Sequence, residues 1–433
     1  MIWLLLGLNI CLLLIYMLTN RKGINFCEPV FLLVVSTIIS ALFVIMNYHN
    51  WNVLEDFSLK TVTLFFGAEI FFLIGSISAK FLFASLPKRK RKLYYNYHPI
   101  IINKNIIALS FIFVIFSGII YFFNLLQKSG LSYTGFISYM TLIRPMLKNN
   151  EISISFISLQ LLNISKILAY IFSYIYIWNL ITFKEKKYVY LLVPTIYIIV
   201  SLLTSGRIYF IYYAIFVYTL FFLLIKKNVR FSLRKIIKFI IYISIFLFFF
   251  FILFAVLANM VGRNTSHSIF VQLSVYIGGP LISFNKFVNS FNFSKPDYMG
   301  EETLIGIYQV LRKIGIIDVP LTRHLPFVQL GDNWGNVYTA MRRYIHDYGI
   351  IASMIIVSCI GFIYEFFYGL ISKKTYLSLH CFLYAMWIYP IPMMIIDDLF
   401  LSNLLGINTI YDLFFLLLLY RIFIKKNYVE RID

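Results

Sequence analysis

Apolar residues fall along this chain in long, nearly unbroken blocks: 1–20, 29–47, 61–86, 105–126, 153–181, 188–204, 208–225, 239–261, 349–371, 376–396 and 408–424. Each has a length suited to crossing about 30 Å of hydrocarbon as a helix of roughly 20 residues. The pattern predicts eleven membrane-spanning helices. From Tyr188 to Ile225 the run is almost continuous, and at 1.5 Å per residue a single helix over it would be about 57 Å long, too long for a bilayer. The polar break Thr204-Ser205-Gly206-Arg207 predicts a tight turn between two spans, with Arg207 at a membrane face.

Composition strengthens this reading. Of 433 residues, 61% are hydrophobic and only 13% are charged, whereas a water-soluble domain carries roughly 25% charged residues. Cys11, Cys27, Cys359 and Cys381 form no CxxC and no Cys/His spacing suited to zinc, so neither a disulfide framework nor a metal site is implied. Residues 1–20 lack a basic leader and a small-residue cleavage site and are followed by Arg21-Lys22, which reads as a retained span rather than a signal peptide.

The net charge of +20 would, in a water-soluble protein, point to nucleic acid. Its distribution points to topology instead. With the N-terminus outside and spans alternating, the inner segments hold 23 basic residues against four acids, including Lys88 to Lys92 and Lys425-Lys426. The short outer segments carry Glu55, Asp56, Glu151, Asp397 and Asp398. This is the positive-inside pattern, with the N-terminus periplasmic and the C-terminus cytoplasmic. Among charges inside spans, Lys80 and His380 are read as snorkelling to the inner interface, Glu69 and Lys166 as an interhelical pair, and Asp412 as facing an outer cavity near Asp397 and Asp398.

The charge rule does not govern the long outer segment 262–348, and this is where candidate chemistry concentrates. The expected organisation is spans 1–8 over 1–261, a periplasmic loop over 262–348, and spans 9–11 with a cytoplasmic tail over 349–433. Ser268 to Val288, broken by Gly278-Gly279-Pro280, and Thr303 to Ile317 both read as amphipathic helices on the outer membrane surface; a re-entrant hairpin or a pair of spans is the alternative for the first. Downstream, Gly331-Asp332-Asn333-Trp334-Gly335-Asn336-Val337-Tyr338-Thr339 continues through Arg342-Arg343-Tyr344-Ile345-His346-Asp347-Tyr348-Gly349. The block supplies cations, a titratable base and carboxylates, the parts needed to hold a diphosphate and deprotonate a hydroxyl. Plain structural roles compete: Asp347 as a helix cap, His346 as a solvated interface residue, Arg342 and Arg343 as headgroup partners.

The Leu203-Thr204-Ser205-Gly206-Arg207 turn, followed far downstream by Gly335-Asn336-Val337-Tyr338-Thr339 and then Tyr344, Asp347, Tyr348 and Gly349 leading into a span, resembles the bacterial O-antigen (oligosaccharide repeat unit) polymerase family, Wzy. The resemblance covers the general plan of many spans with one large periplasmic loop, and its residue matches lie in these two blocks. Members are often drawn with more spans and both termini inside. The Arg-x10-Gly element of some members is absent, since Gly335 follows Arg323 one residue late.

The resemblance implies an all-α, C-type glycosyltransferase of the bacterial inner membrane. It would join undecaprenyl-diphosphate-linked oligosaccharide repeat units at the periplasmic face, without a nucleotide sugar, cofactor or obligatory metal. Its partners would be that lipid-linked oligosaccharide, membrane lipids and a separate chain-length regulator, and no nucleic acid. Arg207, Arg263, Arg342, Arg343 and Arg323 are the candidate diphosphate ligands, because a guanidinium binds phosphate oxygens bidentately. Asp332, His324, His346 and Asp347 are the candidate catalytic bases. Tyr209, Tyr212 and Tyr213, at helical spacing with Phe216, and Tyr338 are candidate sugar or lipid contacts, with packing as their other reading. An O-antigen ligase and a lipid-linked oligosaccharide flippase remain the alternatives.

Overall fold

A computed structural model describes residues 1–19, 26–51, 57–85, 95–133, 135–148, 151–204, 206, 208–225, 269–290, 296–319, 321, 325–372, 379–425 and 429–431. Seven helices among them are long and apolar enough to cross a membrane: Ile2–Thr19, Pro29–Asn47, Leu59–Ser85, Lys104–Ser129, Phe156–Phe183, Ala340–Ile371 and Ile407–Ile424. The chain is thus an all-α membrane protein, with two short antiparallel ribbons among the described residues. Shorter apolar helical stretches at Tyr188–Thr204 and Ile208–Leu224 occupy the places of the sixth and seventh predicted spans. The eighth, 239–261, lies outside the described residues. The tenth is not one helix: Leu379–Trp387 stops short of Pro390, and Pro390–Met393 makes a separate turn. Proline cannot donate into a continuing helix, and Tyr364 Oη donates to the Trp387 carbonyl at 2.7 Å beside the break.

Polar and apolar positions are arranged for lipid rather than water. Asn9, Thr37, Ser40, Ser76, Ser117, Ser165 and Asn179 are buried, while Trp3, Ile74, Phe81, Ile112, Phe123 and Ile351 are exposed. Hydrocarbon offers no hydrogen bonds, so polar side chains turn inward toward partners and apolar ones face out.

The chain forms two compact units, the described parts of 1–88 and 267–409, and those of 89–226 and 410–433. In the first, Leu59–Ser85 crosses the long helix Ala340–Ser372 at backbone distance. A Cβ on Gly75 would lie 1.8 Å from the Ser358 carbonyl oxygen, and one on Gly361 would lie 2.3 Å from that of Phe72. Ser76 Oγ donates to Glu365 at 2.9 Å across this contact. Lys80 pairs with Glu28, which also accepts from Tyr16, and lies 3.9 Å from Glu365. Lys80 is therefore an ion-pair residue as well as one whose side chain stays 40% exposed, as snorkelling requires.

The structure corrects the reading of Ser268 to Val288 as a surface element. Ile269–Ile277 and Gly279–Asn289 meet at Gly278, and Leu281, Ile282, Phe284 and Val288 are fully buried. Gly278 packs on the backbone of Phe43 and Val44. Ser40 Oγ donates to the Ile277 carbonyl at 2.6 Å, Asn47 Nδ2 to Ser274 Oγ at 2.9 Å, and Asn285 Oδ1 accepts from the Ser58 amide and from Thr61 Oγ1. Ser274 and the Asn285 side-chain oxygen thus find partners inside the unit, whereas Ser283 Oγ and Asn285 Nδ2 are buried without one among the described residues. The second stretch is a shorter helix, Ile305–Lys313, with Ile305 and Gly306 buried and Arg312 and Lys313 exposed.

The second unit packs Phe156–Phe183 against Lys104–Ser129, Leu192–Ser201 and Ile208–Ile225. Asn179 holds both peptide groups of Ile100, accepting from its N–H at 2.9 Å and donating to its carbonyl at 2.8 Å. Tyr95–Tyr97 pairs with Val429–Arg431. Lys166 pairs with Asp412 at 2.6 Å, not with Glu69, whose carboxylate accepts from Thr37 Oγ1 at 2.6 Å in the first unit. Asp412 therefore answers a lysine within its own unit.

Gly75→Ala forces a methyl group onto the Ser358 carbonyl, and overpacking of a close contact costs about 1–3 kcal/mol or more. The expected result is a clearly lowered unfolding temperature in detergent micelles. Gly7→Ala, at a position with nothing within 4 Å, should leave it nearly unchanged.

Candidate functional site

The outer block begins as a β-hairpin, Val328–Leu330 paired with Asn333–Gly335. Its two-residue turn places Gly331 at φ 60°, the conformation that the first central position of a type II′ turn requires. Glycine is also needed because a Cβ there would meet the Asn50 carbonyl oxygen at 2.7 Å. Asp332 is exposed at the turn, and Trp334 points out of the second strand with 61% of its surface accessible. Tyr338, in contrast, is buried; its hydroxyl donates to the Pro326 carbonyl at 3.2 Å, and burial pushes its pKa up to about 12.

From Ala340 the chain is helical to Tyr348, breaks at Gly349 (φ 76°, ψ 175°) and then resumes as the membrane helix. The leading arm, residues 340–348, is held to the rest of the unit by its charged side chains. Arg342 pairs with Glu302, and its guanidinium lies 5.1 Å from the ring centre of Phe287 and 5.2 Å from that of Tyr338. Arg343 makes a two-point contact with Asp397, Nε to Oδ1 at 2.5 Å and Nη2 to Oδ2 at 3.1 Å, and donates from Nη1 to the Glu302 carbonyl at 3.2 Å. Asp347 Oδ2 accepts from the Thr303 amide at 2.8 Å and from Thr303 Oγ1 at 2.7 Å. His346 Nδ1 lies 3.0 Å from Asp347 Oδ1 and 3.6 Å from Glu302 Oε1.

These contacts assign work to each residue. Asp347 does not cap the ninth span. It stands two residues before Gly349 and caps the peptide groups of Glu302 and Thr303 as the chain enters Ile305–Lys313. Arg342 and Arg343 are each neutralised by an internal carboxylate, so neither is a bare cation; the Arg342 Nε, buried, has no hydrogen-bond partner. Tyr344 Oη donates to Asp398 at 2.7 Å, and Asp398 also accepts from the amides of Phe400, Leu401 and Ser402. Burial nevertheless pushes the Asp398 pKa up to about 6, the Tyr344 hydrogen bond opposing the rise.

The cluster therefore gathers three segments distant in sequence: Glu302-Thr303, Arg342 to Tyr348, and Asp397-Asp398. Glu302, His346 and Asp347 each bring one possible metal-ligand atom within 4.8 Å of the others. Glu302 and Thr303 were not singled out from the sequence, and at 44 to 45 residues from Asp347 no spacing rule connects them. Of the other candidates, Arg207, Arg263, Arg323 and His324 lie outside the described residues. Tyr209, Tyr212 and Tyr213 belong to the second unit. There Tyr213 donates to or accepts from Ser173 Oγ at 2.6 Å and packs on Tyr170, on which Phe216 also stacks, so Tyr213 and Phe216 serve packing. Tyr209 stays partly exposed, edge-on to Tyr212.

No protein-family model, curated protein or solved structure matches this chain.

The Asp398 shift has a stability consequence with a definite sign. Because its folded pKa lies above the ordinary value of 3.8, the folded state binds more protons between about pH 4 and pH 6. Stability from this group is thus highest below that window and falls as pH rises through about 6, by on the order of 3 kcal/mol. Asp398→Asn should remove this component, so the difference in melting temperature between wild type and variant should change between pH 4 and 6 and stay flat from 6.5 to 8.

Proposed function

We propose that the chain is an oligosaccharide repeat unit polymerase of the bacterial inner membrane. It would transfer a growing glycan from undecaprenyl diphosphate to a newly delivered lipid-linked repeat unit at the periplasmic face. The observation that carries this reading is that the block resembling the Wzy family, Gly335 to Gly349, is the same segment whose side chains converge with Glu302, Thr303 and Asp397 in one buried charged cluster.

On this reading the eleven-span plan places the cluster on the outer side, where a lipid diphosphate lies at headgroup depth. Arg342 and Arg343 bind the diphosphate and offset charge as the glycosidic bond breaks, while Arg207, Arg263 and Arg323 are diphosphate candidates by the family resemblance alone. Guanidiniums held in place by carboxylates and flanking rings are preorganised for such a role, although Glu302 and Asp397 already match their charge. Tyr338 frames Arg342. The acceptor hydroxyl gives its proton to one of the carboxylate or imidazole candidates. The ligase reading shares donor and topology and differs in acceptor; a flippase would show two related halves and short loops on both sides, which the long outer segment argues against.

Deleting the gene and resolving the lipopolysaccharide on a gel tests the reading. Loss of the ladder with retention of a one-repeat band supports a polymerase. An unchanged ladder, or loss of every capped species including the single repeat, overturns it. Arg342→Lys keeps the charge and loses the planar fork, and removal of one such donor typically costs roughly 100- to 1,000-fold in rate. The expected outcome is a ladder collapsed to the single-repeat band at normal protein level.

A further inference from the structure

We propose that Glu302, His346 and Asp347 bind one divalent transition-metal cation, Zn²⁺ or Mn²⁺, although no metal site is legible in the spacing of cysteines and histidines along the sequence.

The argument starts from how the two carboxylates are held. Each turns one oxygen toward the same ring nitrogen while the other is held more firmly. Asp347 Oδ2 is fixed by the Thr303 amide and hydroxyl, and its Oδ1, which also accepts from the Glu302 amide at 3.3 Å, lies 3.0 Å from His346 Nδ1. Glu302 Oε2 is fixed by Arg342, and its Oε1 lies 3.6 Å from the same Nδ1. Donors that orient the far oxygen of a ligating carboxylate are the recurrent outer shell of metal sites.

All three groups are also withdrawn from solvent, with side-chain exposures of 8% for His346, 4% for Glu302 and 0% for Asp347. Carboxylates taken out of water need cations or donors to offset their charge.

The geometry suits a small cation. Bonds of about 2.0–2.2 Å place ligand atoms about 2.9–3.6 Å apart in octahedral or tetrahedral coordination. The two separations from Nδ1 fall in that range, and the third, within 4.8 Å, closes with a small turn of the Glu302 carboxylate about its Arg342 contact. One imidazole with two carboxylates favours zinc or manganese over the softer, thiolate-seeking metals. Charge agrees: Glu302, Asp347, Asp397 and Asp398 outnumber Arg342 and Arg343 in the surrounding cluster. Three protein ligands leave at least one coordination position open, as in catalytic sites. If the polymerase reading holds, that position faces a diphosphate oxygen; the site itself does not depend on that reading.

The test uses the full-length protein in detergent, stripped with EDTA and dialysed against micromolar Zn²⁺ or Mn²⁺. Metal content is measured by mass spectrometry, and Mn²⁺ binding by electron paramagnetic resonance. Wild type should retain close to one equivalent, with nitrogen-14 coupling to Mn²⁺ from the imidazole. His346→Ala, which leaves both carboxylates pinned, should bind at least about 10-fold more weakly, a loss that even outer-shell changes commonly produce. Zn²⁺ should raise the melting temperature of wild type and not of the variant. The nitrogen coupling needs no variant, so a misfolded His346→Ala leaves the proposal testable. Metal well below one equivalent, absent nitrogen coupling, or equal affinity in a folded His346→Ala overturns it. Because no substrate is present, metal binding with an unaffected lipopolysaccharide ladder after gene deletion would refute the polymerase reading alone.

Discussion

Two membrane helices that touch backbone to backbone set the frame of the first unit. Gly75 and Gly361 bring Leu59–Ser85 and Ala340–Ser372 closer than any side chain at either position would allow. In hydrocarbon there is no hydrophobic force to press helices together, so dispersion over such close contacts, with hydrogen bonds such as Ser76 to Glu365, must hold them. The consequence reaches the candidate site. The same long helix, continued beyond Gly349, carries Arg342, Arg343, His346 and Asp347. A site mounted on an extension of a well-packed helix is positioned more rigidly than one on a free loop. Gly349, at a φ that side-chain-bearing residues rarely adopt, supplies the break that lets the arm leave the helix axis and meet Glu302 and Asp397.

Burying charges on that arm costs desolvation, and only complete pairing offsets it. Arg343 shows how this is met: a carboxylate takes two of its donors and a backbone carbonyl takes a third. Arg342 is met by a carboxylate on one side and by two aromatic faces, and a desolvated guanidinium over a ring gains roughly 2 kcal/mol. Removing any one partner would strand its neighbour, so the cluster acts as a unit. Within the membrane helices the same rule gives simpler solutions, Lys166 with Asp412 and Lys80 with Glu28.

Span positions were legible in the sequence because hydrocarbon thickness acts on every helix separately. The predicted 29–47 coincides with Pro29–Asn47, and 61–86 and 105–126 differ from the observed helices by only a few residues. Which helices are neighbours was not legible. Glu69 and Lys166 looked like a pair because both are lone charges in apolar runs, but hydropathy carries no information on lateral packing. The error at Ser268 to Val288 is of another kind. Gly278-Gly279-Pro280 reads as a feature that a spanning helix avoids, yet a missing Cβ also permits the tight contact with Phe43 and Val44 that buries the segment. Asp347 and His346 were visible as chemistry, while the partner that defines their geometry, Glu302, is joined to them only by the fold.

The pairing of the arginines changes what a lipid diphosphate would encounter. A clamp of free guanidiniums attracts the anion outright. Here each described guanidinium of the cluster is already matched, and carboxylates are in excess, so a diphosphate entering beside Arg342 adds negative charge to a site that is not positive. Binding then requires that Glu302 release its arginine, that the carboxylates take up protons, or that a cation join the cluster. The first leaves a buried carboxylate without its partner, among the more costly changes a protein interior can undergo. Protonation costs more as pH rises above the carboxylate range, whereas a divalent cation supplies charge at constant pH and offers the diphosphate a direct ligand position. Under the polymerase reading, a cation bound by Glu302, His346 and Asp347 would therefore help the arginine cluster hold its donor, a departure from the metal-free chemistry that the family resemblance implies.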